Sequence, residues 1–240
     1  MAFGKGEVKV KWVNDLIQKH NLAVVGIQET KRKHMSEMLI RKLWGSSDFE
    51  FLSIDSQGNG GGLLSIWNNS LFSKDTVLCS EDCLIFTGTW IENKTATCLI
   101  NVYASQIPTR RAELWMFLSS FMENWRRVVA LFGDFNDVRD VKEIKGSNSD
   151  SNDILKFNRF INNNNLIDVG IGGTKYTWVI GGGVKLPKLD RFLVSDNFGE
   201  FWPNFEVVTD ARLYSDHKPL IMKQEKRYYG QPPLNSSTHG

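Results

Sequence analysis

The sequence predicts an α/β domain, a layered sandwich of strands with helices on its outer faces. Three observations carry that expectation. Short apolar or alternating segments recur along the chain, amphipathic segments at helical spacing interrupt them, and no Pro- or Ser-rich linker divides them. At 240 residues and 41% hydrophobic content, the chain has enough apolar surface for one large core. Residues 1–223 read as one domain and residues 224–240 as a polar, flexible tail.

Residues 11–20 read as a helix with Trp12, Val13, Leu16 and Ile17 on one face. Residues 22–27 form a nearly continuous apolar run, which suggests a strand buried on both faces. Residues 35–44 read as a helix and 49–54 as a strand. A glycine-rich turn at 58–62 precedes a strand at 63–67. Residues 76–77, 84–91 and 96–104 read as further strands separated by polar turns. The helix at 109–124 places Leu114, Phe117, Leu118 and Phe121 at helical spacing. A buried strand at 128–132 ends at a turn on Gly133. A polar loop at 147–152 leads into an amphipathic helix at 153–163 with Leu155, Phe157 and Phe160. Strands at 176–180 and 189–194 read as a hairpin with a glycine-rich, basic tip at 181–188. Strands at 205–209 and 220–222 complete the domain.

Composition excludes several classes. A net charge of +2 does not announce a nucleic-acid partner, so any basic surface must come from local clustering. Cys79, Cys83 and Cys98 are odd in number, with no ligand spacing around them, and read as reduced thiols. No apolar run reaches membrane-spanning length, and the N-terminus lacks a secretory h-region. An intracellular protein, nuclear or cytoplasmic, without a membrane or an obligate protein partner, is the expectation.

Chemistry concentrates in five polar clusters at strand ends: Gln28-Glu29-Thr30, Asn101-Val102-Tyr103, Gly133-Asp134-Phe135-Asn136, Leu189-Asp190-Arg191 and Ser215-Asp216-His217. Glu29 offers hard oxygen donors that suit Mg²⁺, or is a surface glutamate at a strand exit. Asp134 and Asn136 fall on one side of the chain with Phe135 on the other. There they can orient a water and hold a phosphoryl oxygen, or simply form a turn. His217 cannot be served by adjacent Asp216 and is best paired with a distant carboxylate, Asp190. Its alternative is a structural histidine, while His20 and His34 read as exposed. Tyr103 and Asn101 share a strand face and could contact phosphate, as could Thr177. Lys31-Arg32-Lys33, Arg110-Arg111, Arg126-Arg127, and the set Lys185, Lys188 and Arg191 form basic groups. Solvated faces are their ordinary reading, although the first could line a cleft for a phosphate backbone.

In this order and at these separations, the clusters resemble the endonuclease–exonuclease–phosphatase superfamily, which includes DNase I-like nucleases and apurinic/apyrimidinic endonucleases. The resemblance is similar in detail to the endonuclease domain of plant LINE-type (non-LTR) retrotransposons. Gly26-Ile27-Gln28-Glu29-Thr30-Lys31, Gly61-Gly62-Leu63-Leu64 and Asn101-Val102-Tyr103-Ala104 carry it. So do Lys188-Leu189-Asp190-Arg191-Phe192-Leu193-Val194-Ser195 and Leu213-Tyr214-Ser215-Asp216-His217-Lys218-Pro219, and it spans residues 4–222.

The resemblance implies a four-layer sandwich of two mostly antiparallel or mixed β-sheets flanked by helices. It implies Mg²⁺ or Mn²⁺ as cofactor and double-stranded DNA as partner, nicked to leave a 3′-hydroxyl. Glu29 and Asp216 would serve the metal and Asp134 the attacking water. Asn136 and Tyr103 would hold the phosphate, and His217, oriented by Asp190, would stabilise phosphoryl oxygens or act as base. Asn101, Thr177, Ser215, Lys31, Arg32, Lys185 and Lys188 would contact substrate. Family members open with a strand ending in Asn-(Ile/Val/Cys)-Arg-Gly, whose place Met1 already passes. The N-terminal strand and its asparagine are therefore expected to be missing, leaving the 22–27 run with an unpaired edge and the activity weakened. Asn14, inside a helix, is no substitute. The alternatives are a phosphatase acting on inositol phosphates or phospholipids, and a non-catalytic remnant that binds nucleic acid.

Overall fold

The computed structural model describes residues 6–57, 60–125, 127–143, 151–172, 188–211, 213–215 and 217–224. Helix α1 (Gly6–His20) leads to strand β1 (Val24–Gln28), followed by α2 (Glu37–Trp44), β2 (Glu50–Ile54) and β3 (Leu63–Trp67). Strands β4 (Phe72–Ser80), β5 (Cys83–Trp90) and β6 (Ala96–Tyr103) precede α3 (Pro108–Glu123) and β7 (Val128–Asp134). Then come α4 (Ser151–Asn163), β8 (Leu166–Asp168), β9 (Asp190–Ser195), α5 (Phe198–Phe201), β10 (Phe205–Thr209) and β11 (Leu220–Gln224). No helix of the described residues is long and apolar enough to cross a membrane.

One sheet runs β4-β5-β6-β7-β9-β8, antiparallel except for the parallel pair β6–β7 that α3 connects. Opposite it lie the antiparallel sheets β1-β3-β2 and β10-β11. Three apolar groups define the layers. Val13, Ile17, Ile40 and Leu43 of α1 and α2 pack on Ile27, Leu64 and Ile66. Trp67 stacks on Phe86, with Leu99, Ala130 and Phe132, between the sheets. Leu114, Trp115, Phe157 and Phe160 of α3 and α4 pack on Ile100, Leu131 and Leu193. Helices, sheet, sheet and helices make the four layers, because the central strands β1, β3, β5, β6, β7 and β9 alternate their apolar side chains between two of these groups.

Several sequence expectations need correction. Phe117 and Leu155 are exposed, and Trp115 takes the core position among Phe135, Phe157 and Phe160. The buried stripe of α3 is Arg111, Leu114, Trp115, Leu118 and Met122, which rotates the helix away from Phe117. The segment at 76–77 is part of a nine-residue strand whose register shifts between Lys74 and Thr76. That shift bends an exposed sheet edge. β1 is only half-buried, with Ile27 alone fully enclosed, because among the described residues it has a strand neighbour on one side only.

Gly133 is not a turn. It lies inside β7, paired with Val102 and Arg191 at φ 130°, where a side chain would run into the Val102 carbonyl oxygen. The short β8 and α5 were not anticipated. The expected strand at 176–180 and most of the loop at 181–188 lie outside the described residues, as do residues 225–240 of the expected tail.

Arg111 and Arg191 also depart from the reading of basic surface groups. Arg111 is buried and bridges Asp137 at 3.2 Å and Asp153 at 3.1 Å. Arg191 is fully buried and bridges Asp168 at 2.6 Å and Glu143 at 2.5 Å, and its guanidinium lies over the Phe157 ring. Lys188 also meets Asp168, at 2.8 Å. Burial works against the Asp168 carboxylate, but Arg191, Lys188 and Arg139 outweigh it and hold Asp168 below the usual carboxylate range. Asp168→Ala should lower stability by about 3 kcal/mol, because it leaves Arg191 buried with one partner fewer. Urea unfolding at pH 7 measures this. The Asp168 contribution is present above the unfolded aspartate pKa and lost as pH falls through the lower folded value, so the wild-type advantage should shrink in acid.

Candidate functional site

The site grows out of strand register. Tyr103 on β6 lies opposite Asp134 on β7, and Asp134 lies opposite Asp190 on β9. Three chemically able side chains thus stand abreast at one end of the large sheet. β1 ends above them at Gln28, followed by Glu29 and Lys31 with φ 54° and 52°. These positive φ values turn the chain out of the strand and toward the sheet end.

His217 Nδ1 lies 2.6 Å from Asp190 Oδ2, and its Nε2 lies 4.0 Å from Asp134 Oδ2. The His217 backbone N–H donates to Ser215 Oγ at 3.0 Å. A histidine held by one carboxylate and facing a second is an arrangement for moving a proton between the second carboxylate and a bound group. The ligand atoms of Asp134, Asp190 and His217 all lie within 4.8 Å of one another, close enough to hold a metal ion. Burial, then the like charge of Asp190, push Asp134 up to about 6, against the pull of the Asn136 N–H and of His217.

Asn136 sits in the left-handed region at φ 46°. Its backbone N–H donates to Asp134 Oδ1 at 2.9 Å, and its side-chain Nδ2 donates to the Ala104 carbonyl at 2.7 Å. Phe135 between them is fully buried against Trp115, on the side away from the cleft. Tyr103 Oη donates to Glu29 Oε1 at 2.8 Å, and Lys31 Nζ lies 3.4 Å from Glu29 Oε2. Burial works against the Glu29 carboxylate, but Tyr103, Lys31 and other positive charge outweigh it and hold Glu29 below its ordinary value. Glu29, Tyr103, Asp134, Asn136, Asp190, Ser215 and His217 all line one cavity of about 670 Å³.

Two predicted contacts are elsewhere engaged. Asn101 is fully buried. Its amide donates to the Leu64 carbonyl at 3.0 Å and Ser65 Oγ at 3.1 Å, and accepts from Gln28 Nε2 at 2.6 Å. It therefore clasps the two sheets rather than reaching substrate. Lys188 is committed to Asp168 within the ion network and is mostly buried. Arg32 is half-buried and Lys31 exposed beside the cleft. Asp216, Thr177 and Lys185 lie outside the described residues. Asn14 donates to the Leu43 carbonyl at 3.0 Å, tying α1 to α2. His20 is not exposed but lies 2.7 Å from Asp210. Cys83 and Cys98 are buried with their thiols raised by burial, to about 11 for Cys83, while Cys79 is exposed. Sequence reading missed Asp137, Glu143 and Asp168, since nothing local marks a carboxylate whose arginine is tens of residues away.

Asp134→Asn should stabilise the metal-free protein at pH 8 by up to about 3 kcal/mol, the worth of roughly two pKa units. The sign follows from a carboxyl raised in the folded state. Between the unfolded aspartate pKa and about 6, the folded protein binds more protons, so stability falls as pH rises through that window. The gain should vanish near pH 4, which thermal melts with chelator at both pH values will show.

Residues 9–217 match the model of the Endonuclease/Exonuclease/phosphatase family. No curated protein sequence matches the chain. Among solved structures, the catalytic domain of Xenopus laevis APE2 superposes with a TM-score of 0.67 at 14% identity, covering 95% of this chain and 92% of that one. The AP endonuclease LMAP from Leishmania major gives 0.67 at 14% identity, over 92% and 84% of the two chains. A mannosyl-6-phosphatase from Bacteroides thetaiotaomicron gives 0.61 at 13% identity, over 91% of each. At such identities the likeness shows the fold they share.

Proposed function

This chain belongs to the endonuclease/exonuclease/phosphatase family, and on that premise we propose that it hydrolyses phosphodiesters and nicks double-stranded DNA, as the endonuclease of a retroelement. The observation that carries this reading is the His217–Asp190 pair facing Asp134 across 4.0 Å. The retroelement assignment is supported by the sequence runs around Glu29, Asp190 and His217.

The oxygen-rich donor set suits a hard divalent cation, Mg²⁺ or Mn²⁺. Glu29 would hold it, with Asp216 as a second ligand, and the ion would neutralise charge on the phosphate. Asp134 takes the proton of the attacking water, a task for which a carboxyl near pKa 6 is well matched. The water oxygen bonds to phosphorus as the P–O3′ bond breaks. His217, steadied by Asp190, gives a proton to the departing 3′-oxygen, leaving a 3′-hydroxyl and a 5′-phosphate. Asn136 spends one side-chain N–H on Ala104 and has a second for a phosphoryl oxygen. Tyr103 acts through Glu29, whose carboxylate it orients. Lys31 and Arg32, which follow Glu29 after Thr30, would meet the neighbouring backbone phosphates.

A supercoiled-plasmid nicking assay with Mg²⁺ tests the proposal. The chain should convert supercoiled to open-circular DNA, and Asp134→Ala and His217→Ala should each lower the rate about a hundredfold or more. If the chain does not nick and Asp134→Ala changes nothing, the nuclease reading fails. Hydrolysis of small phosphate esters without nicking would instead favour a phosphatase.

A further inference from the structure

We propose that Asp210 is a positioning residue for His217: held by Lys19 and His20 at the end of α1, it fixes the base of the segment that carries His217 into the cleft. This rests on the hydrolase reading of the cleft and names what sets the place of its histidine.

β10 and β11 pair as far as Thr209 and Leu220, and one step beyond, Asp210 N–H donates to the Pro219 carbonyl at 3.3 Å. The chain leaves the sheet between these two residues. His217 stands two residues before Pro219, so the base of the connection governs where its imidazole can reach. The tolerance is small. His217 Nδ1 lies 2.6 Å from Asp190 Oδ2, and a displacement of about 1 Å would break that bond. A connection between strands keeps such a position only when rigid elements tie it down.

α1 supplies the tie. Lys19 Nζ and His20 Nε2 each lie 2.7 Å from Asp210 Oδ2, while Asp210 Oδ1 accepts from the Ala211 N–H at 2.6 Å. One carboxylate oxygen reaches the helix and the other turns the chain into the connection. Lys19, then His20, then the Ala211 N–H hold the Asp210 carboxyl below the usual carboxylate range, so it stays ionised. Lys19 and His20 occupy the last turn of α1, where the helix dipole favours positive charge. The His20 and Asp210 side chains are 18% and 15% exposed and Lys19 is 62% exposed, so the His20 contact is the less screened. Trp12, about two turns or roughly 10 Å earlier along the helix, meets the Tyr214 ring edge-on at 6.0 Å. α1 therefore holds the connection at two points. The helix is itself anchored: Trp12, Val13 and Ile17 are buried, and Asn14 and Gln18 donate to the Leu43 and Trp44 carbonyls of α2 at 3.0 and 2.9 Å. The large sheet thus holds the imidazole through Asp190, and the opposite helical layer holds the backbone that carries it.

Proton NMR of the full chain tests this without substrate. The His217 Nδ1–H, bonded to Asp190, should give a downfield resonance sheltered from solvent, identified by its loss in His217→Gln. Asp210→Ala should abolish that resonance or speed its exchange about tenfold or more, with unchanged circular dichroism. His20→Ala should do most of the same, His20→Gln should restore the donor and the resonance, and Lys19→Ala should change exchange less than about threefold. In the nicking assay, Asp210→Ala should lower kcat about tenfold with KM within about twofold. In a His217→Ala background it should cost no more than about twofold, because the group being positioned is already gone. The proposal is overturned if the wild type shows no such resonance, if Asp210→Ala leaves it unchanged, or if Asp210→Ala slows nicking equally in both backgrounds. If Asp210→Ala loses its circular dichroism, His20→Ala decides by the same criteria. A chain that never nicks, yet loses the resonance in Asp210→Ala, refutes the nuclease reading and upholds the positioning role.

Discussion

The register of three neighbouring strands, β6, β7 and β9, is the constraint on which the site depends. It sets Tyr103, Asp134 and Asp190 abreast. A slip of one residue in either pairing would turn one of these side chains to the helix side of the sheet, because strand side chains alternate. The pairing also brings two carboxylates face to face, which is unfavourable by itself. His217 lies against both and answers part of that repulsion, while burial first and then the like charge of Asp190 raise the pKa of Asp134. Strain of this kind is tolerated because the apolar packing on both faces of the sheet holds the strands in place.

The residue next to Asp190 supplies the anchor. Arg191 points to the opposite face, where Asp168, Glu143 and the ring of Phe157 enclose it. Asp190 can face the cleft only while Arg191 occupies that pocket. Across the cleft, Asn101 joins the sheets by bonding to β3 and to Gln28, one residue before Glu29. The metal-binding proposal for Glu29 and the proton-transfer proposal for Asp134 therefore share a frame built from buried polar contacts. Such contacts fix geometry because breaking one leaves a charge or an amide without a partner in a dry interior.

Much of this was legible along the chain. Periodicity located nearly every long element, since alternation and helical spacing are local properties. The positions of Glu29, Asp134, Asn136 and His217 at strand ends were equally visible, as was the choice of Asp190 as the partner of His217. What misled were features whose meaning depends on partners far away in sequence. Asn101 and Lys188 have the chemistry of phosphate ligands, yet one clasps two sheets and the other serves an ion network. Arg111 and Arg191 read as surface charge and proved to be buried struts. Phe117 and Trp115 differ by two positions, about 200° around a helix, so they face nearly opposite sides, and only packing chose between them.

The sequence by itself determined the α/β layering, the family, and the candidate side chains for binding a cation and moving a proton. These follow from local hydrophobic period and from which residue types sit at strand ends. The tertiary structure alone decided that Tyr103 serves Glu29, that Gly133 belongs inside a strand, and that Asn101 clasps two sheets. The physical reason is the same in each case. Hydrogen bonds and burial between residues tens to nearly two hundred positions apart are set by strand register and sheet stacking, and no local pattern records them.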